Sequence, residues 1–215
     1  MNFNDHSKYK DQHAFLSPSK YSWINYDAET LYSRFKAQYA APIGTILHGI
    51  AASHIDLGFK LFKKDERDVL YEILKIIKDN DLRIPRSVVD IKDEFINLAQ
   101  FVNDAIGFGM KSEQPLLYSD NCFGTADAIS FNNNLLRIHD YKSGSIPAHM
   151  DQLDIYSALF CLEYKKNPNE IQIEERIYQF GEIVVSNPPP ELILLIMEKI
   201  IANDKMIEKF KNEGF

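Results

Sequence analysis

The chain has 215 residues, 45% hydrophobic and 26% charged, which suits one domain, 1–215, with a full hydrophobic core. Its two cysteines, Cys122 and Cys161, exclude a disulfide scaffold and a four-cysteine cluster built from one chain. A net charge of −7 argues against a protein that coats nucleic acid, though not against an enzyme that grips a few phosphates through bound cations.

No apolar run reaches the roughly 18 residues needed to span a bilayer. The polar start, Met1–Lys10, lacks the apolar stretch of a secretory signal, so a reduced cytoplasmic setting is expected. Any basic surface must be local. Lys8, Lys10 and Lys20 form one candidate group, and Lys60, Lys63 and Lys64 another; both also read as solvated surface.

Residues 1–15 are polar and expected to be mobile. A helix start follows within Leu16–Ser22, with Ser17 or Ser19 as N-cap. Apolar spacing at Leu31, Phe35 and Tyr39 predicts a helix over 28–39. Pro42 and Gly44 mark a break. The next helix is predicted over 45–62 with the stripe His48, Ala52, Ile55, Phe59 and Phe62, and further helices over 67–78 and 88–106. Together they make an N-terminal helical layer over 16–110.

The pattern then changes from period 3.6 to period 2. Strands are predicted at 115–119, 123–131 and 135–141, the last two joined by an asparagine turn. A helix over 148–164, strands near 171–179 and 183–185, and a terminal helix over 191–211 complete the catalytic part, 111–215. The expected fold is α/β: a small mixed sheet flanked by helices, under the N-terminal helical layer.

The chemistry concentrates between Gly124 and Tyr156. Alternation puts Asp140 and Lys142 on one face of their strand, about 7 Å apart along it. A turn over 132–135 would pair Phe131 with Leu136 and set Asp127 opposite Asp140. Two such carboxylates repel unless protonated or bridged by a cation. With oxygen donors and no paired Cys or His, Mg²⁺ or Mn²⁺ is favoured over Zn²⁺. Such an ion makes a water nucleophilic, and Lys142 beside it could position that water and offset transition-state charge. Asp-x-Lys by itself is equally an ordinary surface pair.

Three segments carry a family resemblance: Gly124-Thr-Ala-Asp127-Ala-Ile129, Asp140-Tyr-Lys142-Ser-Gly144 and Gln152-Leu-Asp-Ile-Tyr156. With Gly44-Thr-Ile-Leu-His48 and Leu16-Ser-Pro-Ser19 upstream, they resemble the PD-(D/E)xK nuclease superfamily in its RecB-like branch, which includes CRISPR-associated and phage-type exonucleases. The resemblance runs from Leu16 to Tyr156 and implies a restriction-endonuclease-like core.

It also implies roles. Asp127 and Asp140 would bind the metal with the Tyr141 carbonyl, and Lys142 would orient water. His48 would be a further ligand or lie beside the metal, and Glu113 would bind it directly or through water. Gln152 and Tyr156, one helical turn apart, would support the site or touch DNA. Ala126 stands where the superfamily has proline. The missing cysteines speak against the iron–sulfur cluster of many relatives.

The expected activity is a Mg²⁺- or Mn²⁺-dependent deoxyribonuclease acting on single- or double-stranded DNA in recombination, repair or phage DNA processing. It would work in a bacterium or phage-infected cell, alone or with a recombination or helicase partner. Two alternatives stay open: a structure-specific or nicking endonuclease on the same site, and a non-catalytic nucleic-acid-binding or regulatory protein. No Walker-type phosphate loop is present.

Overall fold

The computed structural model describes residues 14–144 and 147–213; the polar start and Lys8 and Lys10 lie outside them. The architecture is α/β, with a five-stranded mixed sheet and, among the described residues, six α-helices. The N-terminal helices are α1 (Ala28–Ala37), α2 (Ala40–Leu57), α3 (Glu66–Asp79) and α4 (Lys92–Gly107). After them come β1 (Lys111–Ser119), β2 (Cys122–Asn132), β3 (Leu135–Tyr141), α5 (Asp151–Glu163), β4 (Gln172–Gln179), β5 (Glu182–Ser186) and α6 (Pro190–Glu213). The strands lie in sequence order; β3 and β4 are parallel, joined by the α5 crossover, and the other neighbours are antiparallel.

Each sheet face buries its own core. Leu47, Ile50, Ile73 and Phe101 of the N-terminal helices pack on Ala128, Tyr141 and Tyr178. On the other face, Leu153 and Leu159 of α5 and Ile193 of α6 pack on Ile129, Leu136, Ile138 and Ile177. The helix–sheet–helix sandwich thus leaves the central strands buried on both sides.

The β2–β3 hairpin fixes the register. Asn133 and Asn134 both adopt the left-handed region (φ 52° and 59°), the geometry of a two-residue hairpin turn, which asparagine tolerates. The turn is shorter than the 132–135 loop, because Asn132 pairs with Leu135. Phe131 still lies opposite Leu136, and Ala128 opposite His139.

Several sequence expectations need correction. Helix α2 does not break at Pro42 and Gly44; it starts at Ala40. Pro42 falls in its first turn, where a backbone N–H has no intrahelical acceptor to lose. The helix also ends sooner, at Gly58 (φ 70°): Gly58 N–H donates to the Ile55 carbonyl and Phe59 N–H to that of His54, a left-handed cap. Phe59 and Phe62 therefore lie outside the helix and are exposed, and the buried stripe is Leu47, Ile50, Ala51 and Ile55.

Ser17 stands at the N-cap position, but of a 3-10 rather than an α-helix, and Ser19 falls inside that helix. Pro18–Asn25 is a 3-10 segment whose preceding Ser17 makes no side-chain capping bond. Val88 belongs to a short 3-10 turn rather than α4, its buried side chain having extended the apparent periodicity. Strand β1 begins four residues before Pro115, which an edge strand accepts, and α5 begins at Asp151 rather than near Ala148.

Candidate functional site

Strand pairing is interrupted at Asp127. The β2–β3 ladder ends at Ala128↔His139, and the next amide of β3 to need an acceptor, Tyr141 N–H, donates to Asp127 Oδ2 at 2.9 Å. The carboxylate takes the place of a backbone carbonyl. Side-chain alternation breaks at the same point: Ala126 and Ile129 join the α5-side core, while Ala128 joins the opposite one. Asp127 is thereby turned toward α2, where His48 Nδ1 lies 3.4 Å from its Oδ2.

Strand β1 supplies a third group. Ser112 pairs with Ala128 and Gln114 with Ala126, so Glu113 stands beside Asp127. Glu113 holds a left-handed backbone (φ 45°), a strained conformation for a residue with a β-carbon. His48, Glu113 and Asp127 each offer a ligand atom, all within 4.8 Å of one another.

Asp140 sits next to this trio. It is 2% exposed. Lys142 Nζ donates to its Oδ1 at 3.0 Å and to Gln152 Oε1 of α5 at 3.1 Å. The other oxygen, Oδ2, is buried without a hydrogen-bond partner. A buried, unsatisfied carboxylate oxygen is costly.

The charges act on one another. Burial pushes the Asp140 carboxyl up to about 6, with the charge of Asp127 adding and Lys142 and His48 opposing. Burial likewise raises Glu113, again with help from Asp127. For His48, burial works against the cation, but the hydrogen bond and charge of Asp127, with Asp140 and Glu113 behind, outweigh it and hold the pKa above 6.5. Burial and mutual repulsion thus both disfavour the ionised forms of Asp140 and Glu113, an arrangement that a nearby cation would relieve.

Two glycines allow this assembly. A Cβ at Gly44 would lie 3.0 Å from Ser143 Oγ, and one at Gly124 would lie 2.9 Å from Tyr156 Cε1. Gly44 lets α2 approach the segment after β3 and bring His48 to Asp127. Gly124 lets α5 seat Tyr156 on β2 and bring Gln152 to Lys142. The sequence segments singled out above therefore meet pairwise: Gly44 with Ser143, His48 with Asp127, Lys142 with Gln152, Gly124 with Tyr156.

A cavity of about 430 Å³ is lined by His48, Glu113, Asp127, Lys142, Ser143 and Gly144 among others. The trio offers an imidazole and two carboxylates and no thiolate, a donor set that suits a hard divalent cation; Asp140 lies outside the trio and acts on it through its charge. Tyr141 joins the site through its main chain, its ring being buried between His48 and Phe101. Two other histidines stand apart from the trio: His139 packs in the core under the N-terminal helices, paired with Tyr178 Oη, and His54 bonds to the Phe59 carbonyl.

Sequence reading missed one feature of this region. Ser157 and Glu175 are fully buried, and Ser157 Oγ donates to Glu175 Oε1 at 2.7 Å. Asp154 adjoins them, and burial drives Glu175 up to about 8. Asp154 was visible inside Gln152–Tyr156, and Glu175 as an acid in an otherwise apolar strand face, but nothing in the sequence said they meet.

The chain belongs to a family described as a protein of unknown function (DUF2800), whose model matches residues 13–172. That span contains every residue of the site. No curated protein matches the chain.

Proposed function

We propose that the chain is a divalent-metal-dependent nuclease of the PD-(D/E)xK type, hydrolysing phosphodiester bonds in DNA, with exonuclease action favoured. The observation that carries this reading is the Lys142 ammonium held between Asp140 and Gln152 beside the His48–Glu113–Asp127 trio. A lysine fixed next to a cluster of hard metal donors pairs the buried Asp140 carboxylate and is suited to phosphoryl chemistry.

In this reading His48, Glu113, Asp127 and Asp140, with the Tyr141 carbonyl, hold Mg²⁺ or Mn²⁺. When bound, the ion supplies positive charge to the phosphate and acidifies water. Lys142 orients the attacking water and offsets charge on the phosphoryl oxygens. Hydrolysis joins the water oxygen to phosphorus and breaks one ester P–O bond; the water's proton leaves to solvent and the departing oxygen takes one up. Gln152 holds the Lys142 amine in place, and Tyr156 anchors α5.

Degradation of end-labelled linear DNA with Mn²⁺ or Mg²⁺, alongside closed-circular DNA, tests the proposal. Loss of linear DNA alone supports an exonuclease. Nicking of the circle would make it an endonuclease on the same residues. Intact DNA of every form would remove the nuclease reading.

A further inference from the structure

Beyond the metal-ligand cluster lies a second cavity of about 640 Å³, formed by residues 14–26 and α1. Its lining includes Phe15, Trp23 and Tyr26, the cations Lys20 and Arg34, and Gln38. Among the described residues no acidic side chain lines it, although the chain carries a net charge of −7. Lys20 and Arg34 make no ion pair or hydrogen bond among the described residues.

The aromatic rings are held by polar contacts. Trp23 Nε1 donates to the Ser17 carbonyl at 2.9 Å, and Tyr26 Oη and Ser22 Oγ are 3.0 Å apart. Both rings stay only partly buried, and α1 buries no residue at all. A side-chain set that is fixed, half-exposed and aromatic, flanked by unpaired cations, is poor core and good platform. Stacking of bases on aromatic rings combined with phosphate contacts from cations is how single strands are held.

The cavity is also in the right place. Ala37 and Gln38 line it, and Ala40 and Ala41, just across the α1–α2 junction, line the cavity of the metal-ligand cluster. We infer that residues 15–38 form a single-strand binding site: Trp23 and Tyr26 stack an unpaired base, and Lys20 and Arg34 grip its phosphates, leading the strand toward the cluster. This rests on the nuclease reading for the identity of the ligand as a DNA strand, but it is tested without cleavage.

Trp23 is the chain's one tryptophan, so its fluorescence reports on the cavity directly. Full-length protein in EDTA is titrated with an oligothymidylate of about twelve nucleotides. The expected result is saturable quenching that weakens with salt. By anisotropy of a labelled oligonucleotide, Trp23→Ala lowers affinity about tenfold, while Trp23→Phe retains most of it. Arg34→Glu, at an exposed position, weakens binding and lowers the salt slope by about one. Unquenched Trp23 fluorescence at saturation, or Arg34→Glu binding like the wild type, overturns the inference. Binding that depends on Trp23 and Arg34 in a protein that cleaves no DNA would uphold this site and remove the nuclease reading. Cleavage with unaltered binding in both variants would do the reverse.

Discussion

The Tyr156 ring occupies the space in which a side chain at Gly124 would begin: a Cβ there would lie 2.9 Å from Tyr156 Cε1. One contact between β2 and α5 thereby links the strand of Asp127 to the helix that positions Gln152 on Lys142. Gly124→Ala should destabilise the protein by about 1–3 kcal/mol through overpacking. In a Tyr156→Ala background the same change should cost about 1 kcal/mol less or better. Urea melts of the four proteins measure the coupling; additive effects would mean that the ring moves aside freely.

Glu113 is strained, with φ at 45°, and it belongs to the candidate ligand trio. Glycine adopts that conformation without penalty. Glu113→Gly should therefore raise stability by about 1 kcal/mol in metal-free buffer while lowering Mn²⁺ affinity. Calorimetric titration and thermal melts together check this. A variant that is both less stable and equally good at binding Mn²⁺ would show the backbone is not held for the metal.

Asp140 is buried, and its second oxygen has no partner. Because its folded pKa is raised to about 6, the ionised form is disfavoured in the fold, and above that pH the metal-free protein carries the penalty in full. Asp140→Asn should raise the melting temperature at pH 8 without metal and remove the further stabilisation that Mn²⁺ gives the wild type. Identical Mn²⁺-induced shifts in both proteins would exclude Asp140 as a ligand.

Glu175 offers a pH signature away from the candidate ligands. Burial raises it to about 8, partly opposed by the Ser157 hydrogen bond and reinforced by Asp154. Its unfolded value is near 4.5. Between these limits the folded protein keeps a proton that the unfolded chain releases, so rising pH favours unfolding through this group. The stability gained by Glu175→Gln should accordingly grow from pH 5 to pH 8 and then level off. A gain that is flat across that window would mean Glu175 is already ionised in the fold.

Legibility followed physical locality. The β2–β3 register could be derived because asparagines in a hairpin turn fix pairing over short range, and Phe131 indeed meets Leu136. The segments around Asp127, Asp140 and Gln152 were visible because each packs its chemistry into a few residues. Alternation alone failed at Asp127, where the ladder ends and the side chain turns toward His48; a period-2 pattern contains no sign of a fork. The end of α2 was misplaced because Phe59 and Phe62 continue an apolar spacing that Gly58 has already broken. Contacts made over long separations, such as Gly44 with Ser143 or Ser157 with Glu175, depend on tertiary placement that no local pattern encodes.

The central claim is that Asp140 and Lys142 act with a divalent cation to cut DNA. The most direct measurement is cleavage of end-labelled single- and double-stranded linear DNA by wild type, Asp140→Asn and Lys142→Ala, each with Mn²⁺ and with EDTA, all three proteins first shown to be folded. The account predicts Mn²⁺-dependent degradation by the wild type alone, with losses of about a thousandfold or more in both variants. Equal cleavage by all three, or none by a wild type that calorimetry shows to have bound Mn²⁺, would contradict it.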